Sequence, residues 1–206
     1  MAPARLRGCL VTMQQIHQAR KALGNPRSCG RLLSFVFHYR CQSMAHSAIH
    51  LPTLKRTFRQ VFNDEWAPEL TQDQLSLVLI AIAVSIQFTP RAGPYGYLYK
   101  LVSEGLGPEY GPKERQVLLH DLARNIAHSR LVSNTTTLEG LQAIVLFLMY
   151  DLDEESWKDQ LFRHAIRGAQ RVGMDRIQPE GGNTRANSAV VQAASPVERE
   201  MMVRLW

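Results

Sequence analysis

A chain of 206 residues, 45% of them hydrophobic, suits one domain with a sizeable core, which excludes wholesale disorder. The longest apolar stretch, Leu75 to Ile86, is broken by Ser76 and Ser85 and is too short to span a bilayer, and the first twenty residues lack a secretory signal. The net charge of +6 hides an asymmetry: residues 1–63 hold ten Lys or Arg and no Asp or Glu, whereas the rest hold 14 basic and 18 acidic groups.

A basic front half of this kind meets nucleic acid or an acidic partner, or else it spreads its charge over solvated faces. An Arg-rich, acid-free start with Leu6, Leu10, Met13 and Ile16 on one helical face also has the character of a mitochondrial transit peptide. The three cysteines, Cys9, Cys29 and Cys41, are odd in number and widely spaced. They do not make a disulfide framework, and a reducing compartment is the simplest reading.

Every convincing periodic segment is helical, so the expected class is all-α: an array of antiparallel helix pairs, incomplete at the C-terminus. A first helix is expected over Ala4 to Leu23, closed by the breaker Gly24-Asn25-Pro26. A second covers Arg31 to Cys41. After the turn His50-Leu51-Pro52-Thr53, Thr53 is expected to cap a helix carrying Leu54, Phe58, Val61 and Phe62. Thr71 and Gln74 form a capping box for a helix to Phe88 that is apolar nearly all round and should be central.

Residues 89–112 are dense in Gly and Pro and read as loops around a short helix near Tyr97–Val102. Pro112 suits the first position of a helix to Arg130, with Leu118, Leu122 and Ile126 inward. Thr136 and Glu139 make another capping box, for a helix to Leu152 with Leu141, Ile144, Val145 and Leu148 on one side. A helix from Ser156 to Val172 follows, with Trp157, Leu161, Ala165, Gly168 and Val172 in one stripe and Gly173 as its cap. The small residues Ala165, Gly168 and Ala169 allow a close helix approach. Residues 177–194 read as a mobile polar loop, and Ser195-Pro196 with Glu198 restarts a helix that ends at Trp206. The apolar Met201, Met202, Leu205 and Trp206 lack an obvious partner element, so the chain reads as part of a longer helical architecture.

Chemistry is sparse. His38, Cys41, His46 and His50 have the ligand types of a small zinc knuckle, but they sit among helix-forming apolar residues rather than in a Gly-rich knuckle. His120 and Asp121 share a helix with Arg124 and His128, and a carboxylate beside a histidine can do acid–base work. Adjacent helical residues point about 100° apart, however, so the pair reads as solvated surface. Asp151, Asp153, Glu154 and Glu155 read as charge at a helix start, where the macrodipole favours it. Gly105-x-Gly107 lacks a phosphate cradle, and no nucleophile elbow is present. No residue is assigned as catalytic, cofactor-binding or metal-binding, and no enzyme is expected.

One succession points further: Leu138-Glu139-Gly140-Leu141-Gln142-Ala143, then Trp157, then Ala165-Ile166-Arg167-Gly168-Ala169 with Val172-Gly173-Met174-Asp175-Arg176, then Ser195-Pro196-Val197-Glu198-Arg199-Glu200 and Arg204-Leu205-Trp206. It resembles the fungal-specific transcription factor domain, the middle homology region of zinc binuclear-cluster transcription factors. Upstream, Leu32-Leu33 through Phe37-His38 and His50-Leu51-Pro52-Thr53-Leu54 look like that family's entry, and the helix Leu79-Ile80-Ala81-Ile82-Ala83 fits too. Met174 and Asp175 depart from the family's usual Leu-His, and Val203-Arg204 from its arginine pair.

The resemblance covers residues 31–206 and implies a basic N-terminal extension, 1–30, before the front part of a regulatory domain. It implies a nuclear protein that acts in regulation of DNA-templated transcription through protein partners, self-association or small effectors. DNA binding and zinc are family properties seated in a six-cysteine cluster. With three dispersed cysteines, no residue of this chain carries them, and no cofactor is expected in it. The alternative is a helical ligand-binding or scaffold protein, mitochondrial if the basic start acts as a transit peptide.

Overall fold

The computed structural model describes residues 9–37, 49–90, 96–97, 100, 111–133, 137–150, 154–172, 174 and 201. Among them the fold is all-α, with seven helices: α1 (Met13–Leu23), α2 (Pro26–Phe35), α3 (Leu51–Val61), α4 (Gln72–Phe88), α5 (Pro112–Ser133), α6 (Leu138–Leu148) and α7 (Glu155–Val172). Most of the short helix near Tyr97–Val102, the 177–194 loop and most of the helix after Ser195 lie outside the described residues.

α4 is the centre. Every side chain from Leu75 to Ile86 is buried, and the helix packs against α1, α2, α3, α5 and α6, most extensively α5. Each fully buried Leu, Ile or Val there contributes about 1.5–3 kcal/mol. Its serines do not break it. The Ser85 hydroxyl donates to the Ala81 carbonyl at 2.7 Å, and the Ser76 hydroxyl donates across to the Ala123 carbonyl of α5 at 3.1 Å. No described helix is long and apolar enough to cross a membrane. The Thr71 capping box forms as expected: the Gln74 amide donates to the Thr71 hydroxyl at 3.2 Å, and the Thr71 amide to Gln74 Oε1 at 3.1 Å.

Several boundaries are corrected. α1 starts at Met13, not Ala4, because Thr12 and Gln15 form a capping box of their own. The residues just before it are held extended: the Val11 amide donates to the Leu70 carbonyl at 3.0 Å and the Gln72 amide to the Cys9 carbonyl at 2.8 Å. α1 closes at Gly24, whose φ of 63° is the left-handed region that favours glycine. α2 then begins at Pro26, five residues before Arg31, because Asn25 caps the Arg27 amide at 2.9 Å and Pro26 takes the first turn. α2 therefore runs across the boundary drawn at residue 31. Ile16, Ala19, Leu23 and Cys29 lie in the core, so residues 13–30 are part of the folded body.

α3 starts at Leu51 with His50 at the cap position, and Thr53 lies inside it. α6 is capped by Thr137, whose hydroxyl accepts from the Gly140 amide at 3.1 Å, not by Thr136. It ends at Leu148, short of Leu152. On α5 the deeply buried apolar residues are Leu119, Ala123 and Ile126, with Leu118 and Leu122 half-buried. On α6, Leu141 and Ile144 are buried, but Val145 and Leu148 only partly. α7 buries Trp157, Leu161, Gly168 and Ala169 against the bundle, packing on α6. The cap expected at Gly173 lies outside the described residues.

Candidate functional site

Four arrangements concentrate polar or charged side chains. The first joins two helix N-termini. Asp73, in the first turn of α4, is buried, and its carboxylate accepts from the Thr137 hydroxyl at 2.7 Å. Beside it, Gln74 Nε2 donates to Glu139 at 3.3 Å. A Cβ placed on Gly140 would lie 3.4 Å from the Asp73 carboxyl carbon, so the glycine lets the carboxylate lie against the α6 backbone. The burial of this carboxylate is compensated by a hydroxyl donor and by the positive ends of two helices. His164 of α7 is near enough to feel Asp73. Loss of water pushes its imidazole below the ordinary histidine value, as do Arg171 and Arg167, while Asp73 pulls the other way.

The second is a buried arginine. Arg115, in the first turn of α5, is 1% exposed. Its Nε donates to the Ala22 carbonyl at 2.7 Å and its Nη2 to the Leu23 carbonyl, two of the last acceptors of α1. The Cys29 thiol donates to the same Leu23 oxygen at 3.1 Å. Burial holds Arg115 below its ordinary value and pushes the Cys29 thiol from 9.0 up to about 11, with Arg115 opposing the latter. A second arginine repeats the device: Arg20 Nε donates to Val61, at the end of α3, at 2.6 Å, while its Nη1 pairs with Asp64.

The third is an aromatic ladder, and it corrects the reading of His120 as solvated surface. His120 is buried and stacks on Tyr150, with centroids 4.3 Å apart and planes 5° apart, and meets Phe147 edge-on. Its Nδ1 lies 3.2 Å from Asp121, whose own side chain is largely exposed. One and two turns on, the Arg124 guanidinium lies 4.8 Å over the Trp157 ring and exposed His128 stacks against the same ring. Residues 120, 124 and 128 thus share one face of α5, and that face packs on aromatics from α6 and α7. Trp157 is buried, and its indole Nε1 has no hydrogen-bond partner among the described residues.

The fourth is electrostatic. Lys21, Arg27, Arg31, Arg56 and Arg59 are exposed on α1, α2 and α3, and none makes an ion pair with a described residue. α2 and α3 are neighbours: a Cβ on Gly30 would lie 3.7 Å from the Phe58 ring.

Of the zinc-like set, only His50 is described. It is half-buried, its Nδ1 2.8 Å from the Thr53 hydroxyl. His38, Cys41 and His46 lie outside the described residues, as do Asp151, Asp153, Gly105 and Gly107. No group of three metal-ligating side chains occurs among the described residues. Glu154 stands at the α7 N-terminus, its carbonyl accepting from the Trp157 and Lys158 amides at 3.0 and 3.1 Å, and Glu155 opens the helix. Both sit where negative charge complements the helix dipole.

Arg115 and Asp73 were not singled out by sequence reasoning. Asp73 carried a signal, an acid in the first turn of a helix otherwise apolar. Arg115 carried none that separates it from a surface arginine. The chemistry of the first two arrangements and of the aromatic ladder is that of helix ends and ring faces held in place. Comparisons with protein-family models, with curated proteins and with solved structures return no match to this chain.

Proposed function

We propose that this chain is a helical regulatory module of a fungal transcription factor, acting in the nucleus through protein contacts rather than catalysis. The reading rests on the sequence resemblance, and one structural observation supports it. Part of the motif falls at packing positions of α6 and α7: Leu141 and Ala143 are buried and Trp157, Gly168 and Ala169 form the inner face of α7, with Thr137 capping α6 just before Leu138, while Ile166 and Arg167 are exposed. DNA base reading and zinc belong to a separate cysteine cluster in that family, so neither is proposed for this module.

The test is a fusion of the chain to a heterologous DNA-binding domain and activation segment, read on a reporter gene, with a tagged chain imaged in a fungal cell. A nuclear signal and a several-fold change in reporter output, in either direction, are expected. Mitochondrial location with unchanged output would overturn the reading in favour of a helical scaffold.

A further inference from the structure

The basic face of α1–α3 is not used by any of the contacts that hold the fold. Arg27 and Arg31 lie four residues apart on α2, about 6 Å along its axis, and Arg56 and Arg59 lie on one side of α3. Lys21 stands at the end of α1, next to the Arg20 that ties α1 to the end of α3. Residues 1–63 contain no carboxylate side chain at all. The nearest in sequence, Asp64, is engaged by Arg20. Like charges gathered on neighbouring helices without counter-charges repel one another and weaken the fold slightly, so the arrangement is one that an anionic partner relieves.

The nature of that partner follows from what the face lacks. Among the described residues of α2 and α3, no large hydrophobic side chain is exposed; the nearest exposed ones in sequence are Met13, at the opposite end of α1 from Lys21, and Trp66, past the end of α3. A protein partner normally binds through desolvated aromatic or aliphatic anchors, with charges at the rim. A polyphosphate backbone needs no such anchor: cations displace its condensed counterions, and the released ions supply the free energy. Four of the five cations are arginines, whose forked donors fit phosphate oxygens in pairs. We propose that the outer faces of α2 and α3, with Lys21, form a docking surface for the phosphodiester backbone of a nucleic-acid duplex, held without base readout. This proposal does not rest on the transcriptional reading, because the surface and its probe are the same wherever the chain acts.

The experiment is fluorescence anisotropy of the full chain with a labelled 20-base-pair duplex of mixed sequence, in DNA and in RNA, at several salt concentrations. With about four phosphates neutralised, log K should fall with log salt at a slope near −3.6, about 150-fold between 50 and 200 mM. The variant Arg27→Gln/Arg31→Gln/Arg56→Gln/Arg59→Gln should lose most of the slope and bind at least 10-fold more weakly at 50 mM. A control of equal charge change, Lys100→Gln/Lys113→Gln/Arg163→Gln/Arg167→Gln, should keep the slope. Circular dichroism checks folding, and the pair Arg27→Gln/Arg31→Gln alone should lose about half the slope if the quadruple variant unfolds. Similar slopes on DNA and RNA support backbone docking, and a slope on one only assigns the source. The proposal is overturned by salt-independent binding, by equal losses in the control, or by tighter binding to a polyglutamate peptide of matched charge.

Discussion

The Thr137 hydroxyl donates to the Asp73 carboxylate across 2.7 Å, and the two residues stand at the N-termini of two different helices, α6 and α4. Thr137 does two things with one side chain: its oxygen accepts the Gly140 amide, and its proton goes to Asp73. Thr137→Val keeps the shape and removes both. The loss of a cap costs about 1 kcal/mol, and a buried acceptor left short of a donor a further 1–3 kcal/mol. Chemical denaturation of Thr137→Val, Asp73→Ala and the double variant should give a coupling of about 0.5–3 kcal/mol. Additive losses would mean the two helix ends are energetically separate.

Arg115 makes a parallel case with higher stakes. Its guanidinium satisfies the Ala22 and Leu23 carbonyls at the end of α1, so it joins the first turn of α5 to the last turn of α1. Arg115→Met matches the stem but leaves two buried acceptors with fewer donors, and should cost about 2–4 kcal/mol. Arg115→Lys should recover little, because a compact ammonium cannot serve two carbonyls as a planar fork does. The urea midpoint of each variant measures this, and full stability of Arg115→Lys would show that charge alone suffices.

Sequence reasoning succeeds where the deciding contacts are local, which neither of these junctions is. The Thr71 cap, the all-round apolar α4 and the start of α5 at Pro112 are local properties, and they were legible. Failures arise where a distant segment decides. Three threonines stand together at 135–137, and the one that also reaches Asp73, 64 residues away, takes the cap. α1 cannot extend back to Ala4, because residues 9–11 run against 70–72. The neighbouring Asp121 predicts a surface position for His120, but Phe147 of α6 and Tyr150, just past its end, bury it. The Thr12-x-x-Gln15 box is different, since it stood in the sequence, within a longer helix that hid it.

Cysteine chemistry should separate two sites in one chain. Cys29 is buried with its thiol raised to about 11, whereas Cys9 is exposed. The thiolate is the nucleophile, so iodoacetamide at pH 8 should label Cys9 and leave Cys29 unmodified in the native protein, as peptide mass spectrometry would read. Urea should equalise the two. The same shift makes a linkage prediction. The folded state holds the Cys29 proton more tightly than the unfolded state, so this contribution to stability is full below pH 9 and falls as pH rises toward 11. Cys29→Ala should flatten that part of the stability profile.

His164 titrates with the opposite sign. Its imidazole is pushed below the ordinary value by lost water and then by Arg171 and Arg167, against the pull of Asp73. The unfolded chain therefore takes up the proton more readily than the folded one. The His164 contribution is present above the unfolded value of about 6.5 and is lost as pH falls below it. Thermal melts between pH 7.5 and 5 should show a falling midpoint, and His164→Gln should reduce the fall. Asp73→Asn, which removes the one attractive charge, should push the imidazole lower still and steepen the fall, while Arg171→Gln and Arg167→Gln should make it shallower. Identical profiles for the wild type and His164→Gln would show that His164 does not contribute to the pH dependence of stability.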